Sequence, residues 1–278
     1  MTIALALRVN DGVVLASDSA SSIALNDLNG KLVTNIYDHA DKVFNLRKGS
    51  PVGATVYGLG HIGEASLTTL LKDLRKRFST PSTDWHLDPD AYTIEWVANK
   101  VSGFLFDEKY VPFLTSVGIA QDKWPTLGIY VAGYSAGKDL PEIWTVNLGS
   151  AGARVSMVKS PLAWGGQPEA ISRLIAGYDP TLPKLLAAEL KLAEQDVSTA
   201  LQAVQAKLEP AILPMAIPIQ DALDLAQFLV DLTAKYSRYT PGYQSVGGPI
   251  DIAAITKHEG FKWVQRKHYF GATLNPPA

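Results

Sequence analysis

The threonine at position 2 is a nucleophile that could carry its own base. The initiator methionine is generally removed when a small residue follows it, and removal would leave Thr2 with a free α-amine. An α-amine has an unperturbed pKa of about 7.7–8.0, so a large fraction is neutral at cellular pH and can accept a proton. Thr2 would then supply both the hydroxyl that attacks an amide carbonyl and the base that removes its proton. If Met1 is retained, the nitrogen is an amide and this chemistry is lost.

Turn residues at positions 10–12 predict a hairpin that brings Asp18 close to Thr2. The sequence Asn-Asp-Gly separates two runs of strand-forming residues, and such a turn sets the pairing of the flanking strands. Paired positions should sum to about 21 or 22, which sets Thr2 opposite Ser19 or Ala20. Asp18 then lies about one or two positions along the partner strand.

A second predicted hairpin, with its turn at residues 47–51, places Lys42 opposite residues 56–58. An ammonium there would lower the proton affinity of the Thr2 amine and hydroxyl and would stabilise negative charge on the threonine oxygen. Asp18 would keep Lys42 charged and oriented. Each residue also has an ordinary interpretation: threonine is common at position 2, an aspartate ending a strand often forms a turn, and a lysine opening a strand often lies on a solvated edge.

Small residues near these strand ends are candidates for supporting roles. The backbone N–H groups of Gly58 or Gly60, just before the first predicted helix, could form an oxyanion hole, because glycine lets a carbonyl approach closely. Ser19, beside Asp18, is a further candidate supporting residue.

Residues 133–137, Gly-Tyr-Ser-Ala-Gly, match the strand-to-helix elbow that exposes a nucleophilic serine. Such an elbow needs a helix directly after the serine. The residues after Ser135 carry no apolar stripe, include Pro141, and return to strand alternation at Trp144. The context therefore predicts a β-hairpin with Ser135 at its bend.

Composition excludes several classes of function. The 278 residues contain no cysteine, which removes disulfides, thiol nucleophiles and thiolate metal sites. The five histidines are scattered without metal-binding spacing, so neither a metal nor another cofactor is expected. The net charge is -2 without a basic cluster, which argues against nucleic acid. Neither a membrane span nor a secretory signal is visible, so we expect a cytoplasmic protein that does not bind membranes.

The order of predicted elements indicates an α+β fold with two antiparallel sheets and helices on their outer faces. Strands are predicted at residues 2–9, 13–17, 42–46, 52–58, 126–134, 142–148, 153–158, 250–256 and 261–266, and helices at residues 67–78, 91–106, 186–208 and 219–236. A polar loop is expected between the first two hairpins. The apolar stripe of residues 186–208 fits intramolecular core better than a subunit contact, although both interpretations stay open.

Several of these segments together resemble a known family. "MTIALALRVNDGVVLASDS", "DKVFNL", "GLGHIGEA" and "SVGGPIDIAAITKHEGFKWV" are similar to proteasome β-type subunits of the N-terminal-nucleophile hydrolases, and within them to bacterial proteasome-like proteins such as Anbu and HslV. The resemblance implies one four-layer αββα domain over residues 1–278, with a helical elaboration around residues 180–239. It also implies assembly into rings or an open spiral, and amide hydrolysis by Thr2 with Asp18 and Lys42 as partners.

Two segments depart from the family pattern. The family's serine before the third helix falls on "AWGGQPEA", where Trp164, Gly165 and Gly166 offer no hydroxyl. The family's late aspartate falls on "TPGYQSVGG", which has no acid, although Ser245 stands where a family serine is expected. These departures concern the family's accessory proton relay and leave the three central residues intact.

The leading functional hypothesis is a self-assembling N-terminal-threonine hydrolase of peptide or other amide bonds that acts through an acyl-enzyme. Its expected partners are other copies of itself and a peptide or amide substrate, and the sequence leaves open whether an unfoldase is a further partner. One alternative is a catalytically weak or inactive assembly scaffold with the same fold. The other is a serine hydrolase that uses Ser135.

Overall fold

Two hairpins end beside the three central candidate residues, Thr2, Asp18 and Lys42. The computed structural model describes residues 2–26, 32–81, 83–208, 214–242 and 244–267. Its strands are β1 Ile3–Val9, β2 Gly12–Ser17, β3 Ser21–Asn26, β4 Leu32–Tyr37, β5 Val43–Asn45, β6 Val52–Gly58, β7 His61–Ile62, β8 Ala65–Ser66, β9 Leu127–Gly133, β10 Glu142–Gly149, β11 Gly152–Met157, β12 Leu162–Gly166, β13 Asp251–Thr256 and β14 Gly260–Gln265. Its helices are α1 Leu67–Ser79, α2 Ile94–Ser102, α3 Val111–Ser116, α4 Glu169–Ala176, α5 Leu182–Leu190, α6 Glu194–Leu208 and α7 Ile219–Tyr239.

Most of these strands form two antiparallel sheets. Among the described residues, one sheet has the order β12-β1-β2-β13-β14 and the other the order β11-β10-β9-β6-β5. β1 and β2 are almost wholly buried because their two faces are covered by different layers. On one face α7 packs against β1, β2 and β13, and on the other the second sheet approaches through β5, β6 and β9. On the outer face of that second sheet, α2 packs against β9, β10 and β11.

In the described part of the chain, three apolar clusters lie between these layers. The inter-sheet cluster includes Ala6, Leu15, Val43, Tyr130 and Ile255. The other two join the sheets to α1 and α2 on one side and to α4 and α7 on the other. The predicted α+β fold, a four-layer αββα sandwich, is confirmed.

The first predicted helix is confirmed. Ser66 caps α1 by accepting a hydrogen bond from the backbone N–H of Thr69 at 3.2 Å. The buried residues of α1 recur every three or four positions and are Leu67, Leu70, Leu71, Leu74 and Phe78. This spacing aligns one apolar stripe with the sheet beneath it.

The second predicted helix, at residues 91–106, was wrong at both ends. α2 begins only at Ile94, where the Thr93 side chain accepts from the N–H of Trp96. It then continues through a π-helical segment, Gly103–Tyr110, into α3. Pro112 lies in the first turn of α3, where its missing N–H is tolerated.

The polar loop expected before Lys42 is instead largely a hairpin. β3 pairs with β4, with Ser21 opposite Tyr37. Ile23 and Tyr37 are exposed, so no buried apolar run marked these strands in the sequence. β12 was also missed, and it pairs with β1 at the sheet edge.

The long apolar stripe of residues 186–208 does not form one buried helix. Lys191 adopts a positive φ of 56° and separates α5 from α6. Val197 is buried, but Leu190 and Val204 are more than half exposed. The interpretation of the whole stripe as intramolecular core was therefore wrong. Among the described residues, no helix is both long and apolar enough to cross a bilayer.

Candidate active site

The register of the first hairpin brings the chain start to Asp18. β1 and β2 pair from Ala4 opposite Ser17 to Val9 opposite Gly12, so paired positions sum to 21 as expected. The backbone N–H of Ile3 donates to Asp18 Oδ1 at 3.1 Å. The Asp18 carboxylate therefore lies beside the residue that follows Thr2.

Asp18 and Lys42 form a buried ion pair. Lys42 Nζ lies 2.7 Å from Asp18 Oδ1, and the two side chains are 7% and 0% exposed. Val56 N donates to the carbonyl of Lys42 at 3.0 Å, which agrees with the predicted register of the second hairpin. Asp18 Oδ2 accepts from the backbone N–H groups of Ala20, at 3.1 Å, and Gly247, at 3.0 Å. Four donors thus hold the carboxylate in one orientation.

The electrostatics of Lys42 reflect its burial. Desolvation lowers the pKa of Lys42 below that of an exposed lysine, against the opposing attraction of Asp18. The charge of Lys267 lowers this pKa further. A lysine in this state gives up a proton more readily than a surface lysine does.

Contacts to its backbone carbonyl hold Thr2 in place. The Thr2 carbonyl accepts a hydrogen bond from Gln167 N at 2.8 Å, and the residue is 6% exposed. Gly166, with φ +102°, passes so close that a Cβ on it would lie 1.9 Å from the Thr2 carbonyl oxygen. Glycine is therefore required at position 166 for the chain start to occupy this place.

Thr2 and Lys42 line one cleft with a volume of about 760 Å³. Gly58 and Gly60, the candidate oxyanion residues, line the same cleft. A Cβ on Gly58, where φ is +94°, would meet the Thr126 carbonyl oxygen at 2.3 Å, so this glycine also has a packing requirement. The cleft therefore brings together the candidate nucleophile, the lysine and both glycines.

The two candidate supporting serines lie outside the lining of the cleft and are buried. Ser19 Oγ accepts from Lys267 Nζ at 2.8 Å. Ser245 Oγ donates to Gln167 Oε1 at 2.9 Å, and through Gln167 it is connected to the Thr2 carbonyl. Ser245 can thus steady the backbone at Thr2.

Lys267, Asp251 and Asp41 form a second charged cluster that sequence reasoning missed. Lys267 Nζ is paired with Asp251, and it lies 3.7 Å from Asp41 Oδ1. The one sequence signal was Asp251 within the apolar strand "IDIAAIT", because a buried acid requires a partner. Nothing local in the sequence identified that partner as Lys267.

The absence of a hydroxyl at position 165 has a steric reason. A Cβ on Gly165 would lie 2.4 Å from the ring of Tyr57, whose hydroxyl donates to Asn147 Oδ1 at 3.1 Å. A Cβ on Gly128, on the second sheet, would lie 2.0 Å from the same ring. Tyr57 therefore fills the space that a side chain at position 165 would need.

Ser135 occupies the bend of a hairpin, as its context predicts. β9 and β10 pair from Gly133 opposite Glu142, and a strand rather than a helix follows. Ser135 Oγ donates to Glu142 Oε1 at 2.7 Å and accepts from the N–H of Ile94 at the start of α2. Its hydroxyl thus connects the hairpin to the start of α2. Over the described part of the chain, no group of three or more metal-ligating side chains is found.

The two sheets and their helical layers have the fold of solved Anbu structures. Two solved structures of Anbu from Hyphomicrobium sp. strain MC1 are similar to this chain. The structure of the Gly-1 mutant has 13% identity and a TM-score of 0.52, with 96% of this chain and 86% of that chain covered. A second has 13% identity and a TM-score of 0.50, with 96% and 88% covered.

A structure of Anbu from Yersinia bercovieri, described as an ancestral beta-subunit, has 14% identity, covers 96% of this chain and 88% of its own, and has a TM-score of 0.48. No protein-family model and no curated protein matches the chain. At this level of identity the likeness shows the fold, and it confirms the structural resemblance expected from the sequence.

Proposed function

We propose that the protein is an N-terminal-threonine amide hydrolase of the proteasome-like type, acting on peptide or other amide bonds. The observation that supports this function is the buried Asp18–Lys42 pair, 2.7 Å apart, whose lysine lines the same cleft as Thr2. Met1 lies outside the described residues, and its removal is part of what we propose.

The first half of the reaction forms an ester on Thr2. The neutral α-amine takes the proton of the hydroxyl as Oγ adds to the carbonyl carbon of the substrate. The Lys42 ammonium stabilises the charge that develops on Oγ, and the N–H groups of Gly58 or Gly60 stabilise the oxyanion. The α-ammonium then protonates the leaving nitrogen, the C–N bond breaks, and the acyl group stays on Oγ.

The second half of the reaction restores the enzyme. The α-amine removes a proton from water, the hydroxide adds to the ester carbonyl, and the bond to Oγ breaks with return of a proton to Oγ. The product is a carboxylic acid. Asp18 contributes by holding the Lys42 ammonium in place and does not contact the substrate.

The experiment combines intact mass with a threonine-directed probe. We expect the purified chain to lack Met1 and to gain the mass of an epoxyketone or a β-lactone on Thr2, located by peptide mapping. Thr2→Ala should abolish the adduct, and the matched variant Thr2→Ser should keep it. Retention of Met1, or a native chain that gains no adduct, would refute this function.

A second candidate is an assembly protein with weak or absent catalysis. The glycine at position 165 favours it, since the packing of Tyr57 excludes the family's serine from that position. Under this candidate, Thr2→Ala leaves assembly and the biological role unchanged.

Self-assembly is part of both candidates, and exposed apolar side chains support it. Leu185, Leu190 and Leu192, in and after α5, are all more than half exposed. We propose that this surface contacts another copy of the chain, because an apolar cluster of this kind is stabilised by removal from water. Leu185→Glu combined with Leu190→Glu should lower the mass measured in solution by light scattering and leave the folded chain intact. An unchanged mass would exclude this surface as the contact.

A further inference from the structure

A second buried lysine lies behind the candidate active site. Lys267 follows β14, and its side chain is 4% exposed. Asp251, the first residue of β13, is paired with its ammonium and also accepts from its backbone N–H at 3.0 Å. Lys267 is therefore anchored through both its side chain and its main chain.

The Lys267 ammonium connects the two segments that carry the proposed catalytic ion pair. It donates to Ser19 Oγ at 2.8 Å, one residue after Asp18. It lies 3.7 Å from Asp41 Oδ1, one residue before Lys42. The same two segments are joined directly by a hydrogen bond from Ala40 N to the Ser19 carbonyl at 2.9 Å.

Charge connects the two lysines as well. Among the described residues, the charged groups that act on Lys42 include Asp18 at the end of β2, Lys267 after β14 and Asp251 on β13. After desolvation and the attraction of Asp18, the repulsion from Lys267 lowers the pKa of Lys42, and Asp251 partly offsets it. Such effects act strongly between buried groups because little water screens them.

We propose that Lys267 is a positioning residue for the Asp18–Lys42 pair. Anchored by Asp251, its ammonium holds the segments around Ser19 and Asp41 together, so that the Lys42 ammonium is presented to the cleft beside Thr2. This role rests on the proposed function of Thr2. It requires no contact between Lys267 and the substrate, so it affects the rate of acylation rather than the binding of substrate.

The test compares Lys267→Met with Lys267→Arg, which keeps the charge. One readout is the rate at which a β-lactone acylates Thr2, measured against pH and probe concentration. The other is the titration of Lys42, followed by NMR on chain labelled with ¹³C at lysine Cε and assigned through Lys42→Met. Lys257→Met, which breaks the exposed Lys257–Asp139 pair, is the matched control.

For Lys267→Met we expect acylation slower by about tenfold to a hundredfold, the range for a small misplacement of reacting groups, with unchanged half-saturation by the probe. The Lys42 resonance and the alkaline limb of the rate should both move to higher pH, because a like charge is removed. Lys267→Arg should recover most of the rate, and Lys257→Met should match the native chain.

Asp251→Asn combined with Lys267→Met removes both charges, and this double variant is measured in place of Lys267→Met if the single variant does not fold. It should show the same direction of shift, reduced in size. An unmoved Lys42 titration in the folded variant overturns the proposal even if acylation slows, since a merely structural loss gives that pattern. If the native chain is not acylated, the proposed function fails, while the Lys42 titration still decides whether Lys267 acts on Lys42.

Discussion

Asp18→Asn removes the anionic partner of a buried lysine while it keeps the shape of the side chain. Asp18 Oδ1 accepts from Lys42 Nζ and from Ile3 N, and Oδ2 accepts from Ala20 N and Gly247 N. An asparagine has one carbonyl oxygen and one NH₂ group. In either orientation, its NH₂ group faces two donors and cannot satisfy them.

The expected cost follows from this geometry. Removing one partner of a buried ion pair costs about 3–5 kcal/mol, compared with about 1 kcal/mol for one neutral hydrogen bond. We expect the free energy of unfolding to fall by about 3–5 kcal/mol in Asp18→Asn, because the Lys42 charge stays buried without its counterion. Adding Lys42→Met should recover part of this loss, because it removes the uncompensated charge.

The assay is urea unfolding of the native chain, both single variants and the double variant at pH 7. Glu108→Gln is the control, because it breaks the Arg77–Glu108 pair, whose side chains are 35% and 36% exposed. That control should change the free energy of unfolding by about 0–1 kcal/mol. The reasoning is refuted if Asp18→Asn costs no more than Glu108→Gln, or if Lys42→Met adds its full cost to the Asp18→Asn background.

Gly166→Ala should displace Thr2 and abolish its labelling by a β-lactone, because the new Cβ would overlap the Thr2 carbonyl oxygen; labelling at the native rate would contradict this. Gly165→Ser should lower the free energy of unfolding by about 1–3 kcal/mol, because the new side chain overlaps Tyr57. Tyr57→Ala should relieve this overlap, so in urea unfolding the double variant should lose less stability than the sum of the two single variants. Burial lowers the pKa of Lys42 in the folded chain, whereas a lysine in the unfolded chain has a pKa of about 10.4. At a pH between these two values, the unfolded chain binds more protons than the folded chain does. The free energy of unfolding should therefore rise with pH in that window, and Lys42→Met should remove this rise in urea titrations at successive pH values.

Gly103→Ala is the control for both glycine variants. Gly103 lies in the π-helical segment, and beyond the adjacent helix backbone a Cβ there would first meet Asp107 Oδ2, at 3.8 Å. Its labelling and its unfolding should stay close to those of the native chain.

Local signals predicted much of the candidate site. The turn at residues 10–12 set the register of β1 and β2, because a short loop leaves few ways to pair the strands beside it. The same reasoning placed Lys42 opposite residues 56–58, and the structure pairs it with Val56. The periodicity of α1 and the return to strand after Ser135 were also visible from spacing alone.

Other features depend on contacts that no short segment encodes. Ser19 and Lys267 are 248 positions apart in the chain, and no sequence pattern pairs them. The exposure of Leu190 and Val204 could not be predicted, because a helical stripe looks the same whether or not another element covers it. The steric conflict of Tyr57 with position 165 arises only when the two sheets are stacked.

By itself, the sequence indicated the β1–β2 and β5–β6 hairpins and their approximate registers, because turn geometry and strand alternation act over a few residues. The approach of Lys42 to Asp18 also required the stacking of the two sheets that carry these hairpins. Tertiary structure alone decided that Lys267 and Asp251 stand behind that site, that Tyr57 occupies the place of a missing hydroxyl, and which helical face stays uncovered. Those outcomes depend on how layers distant in the chain pack, and packing is a property of the whole fold.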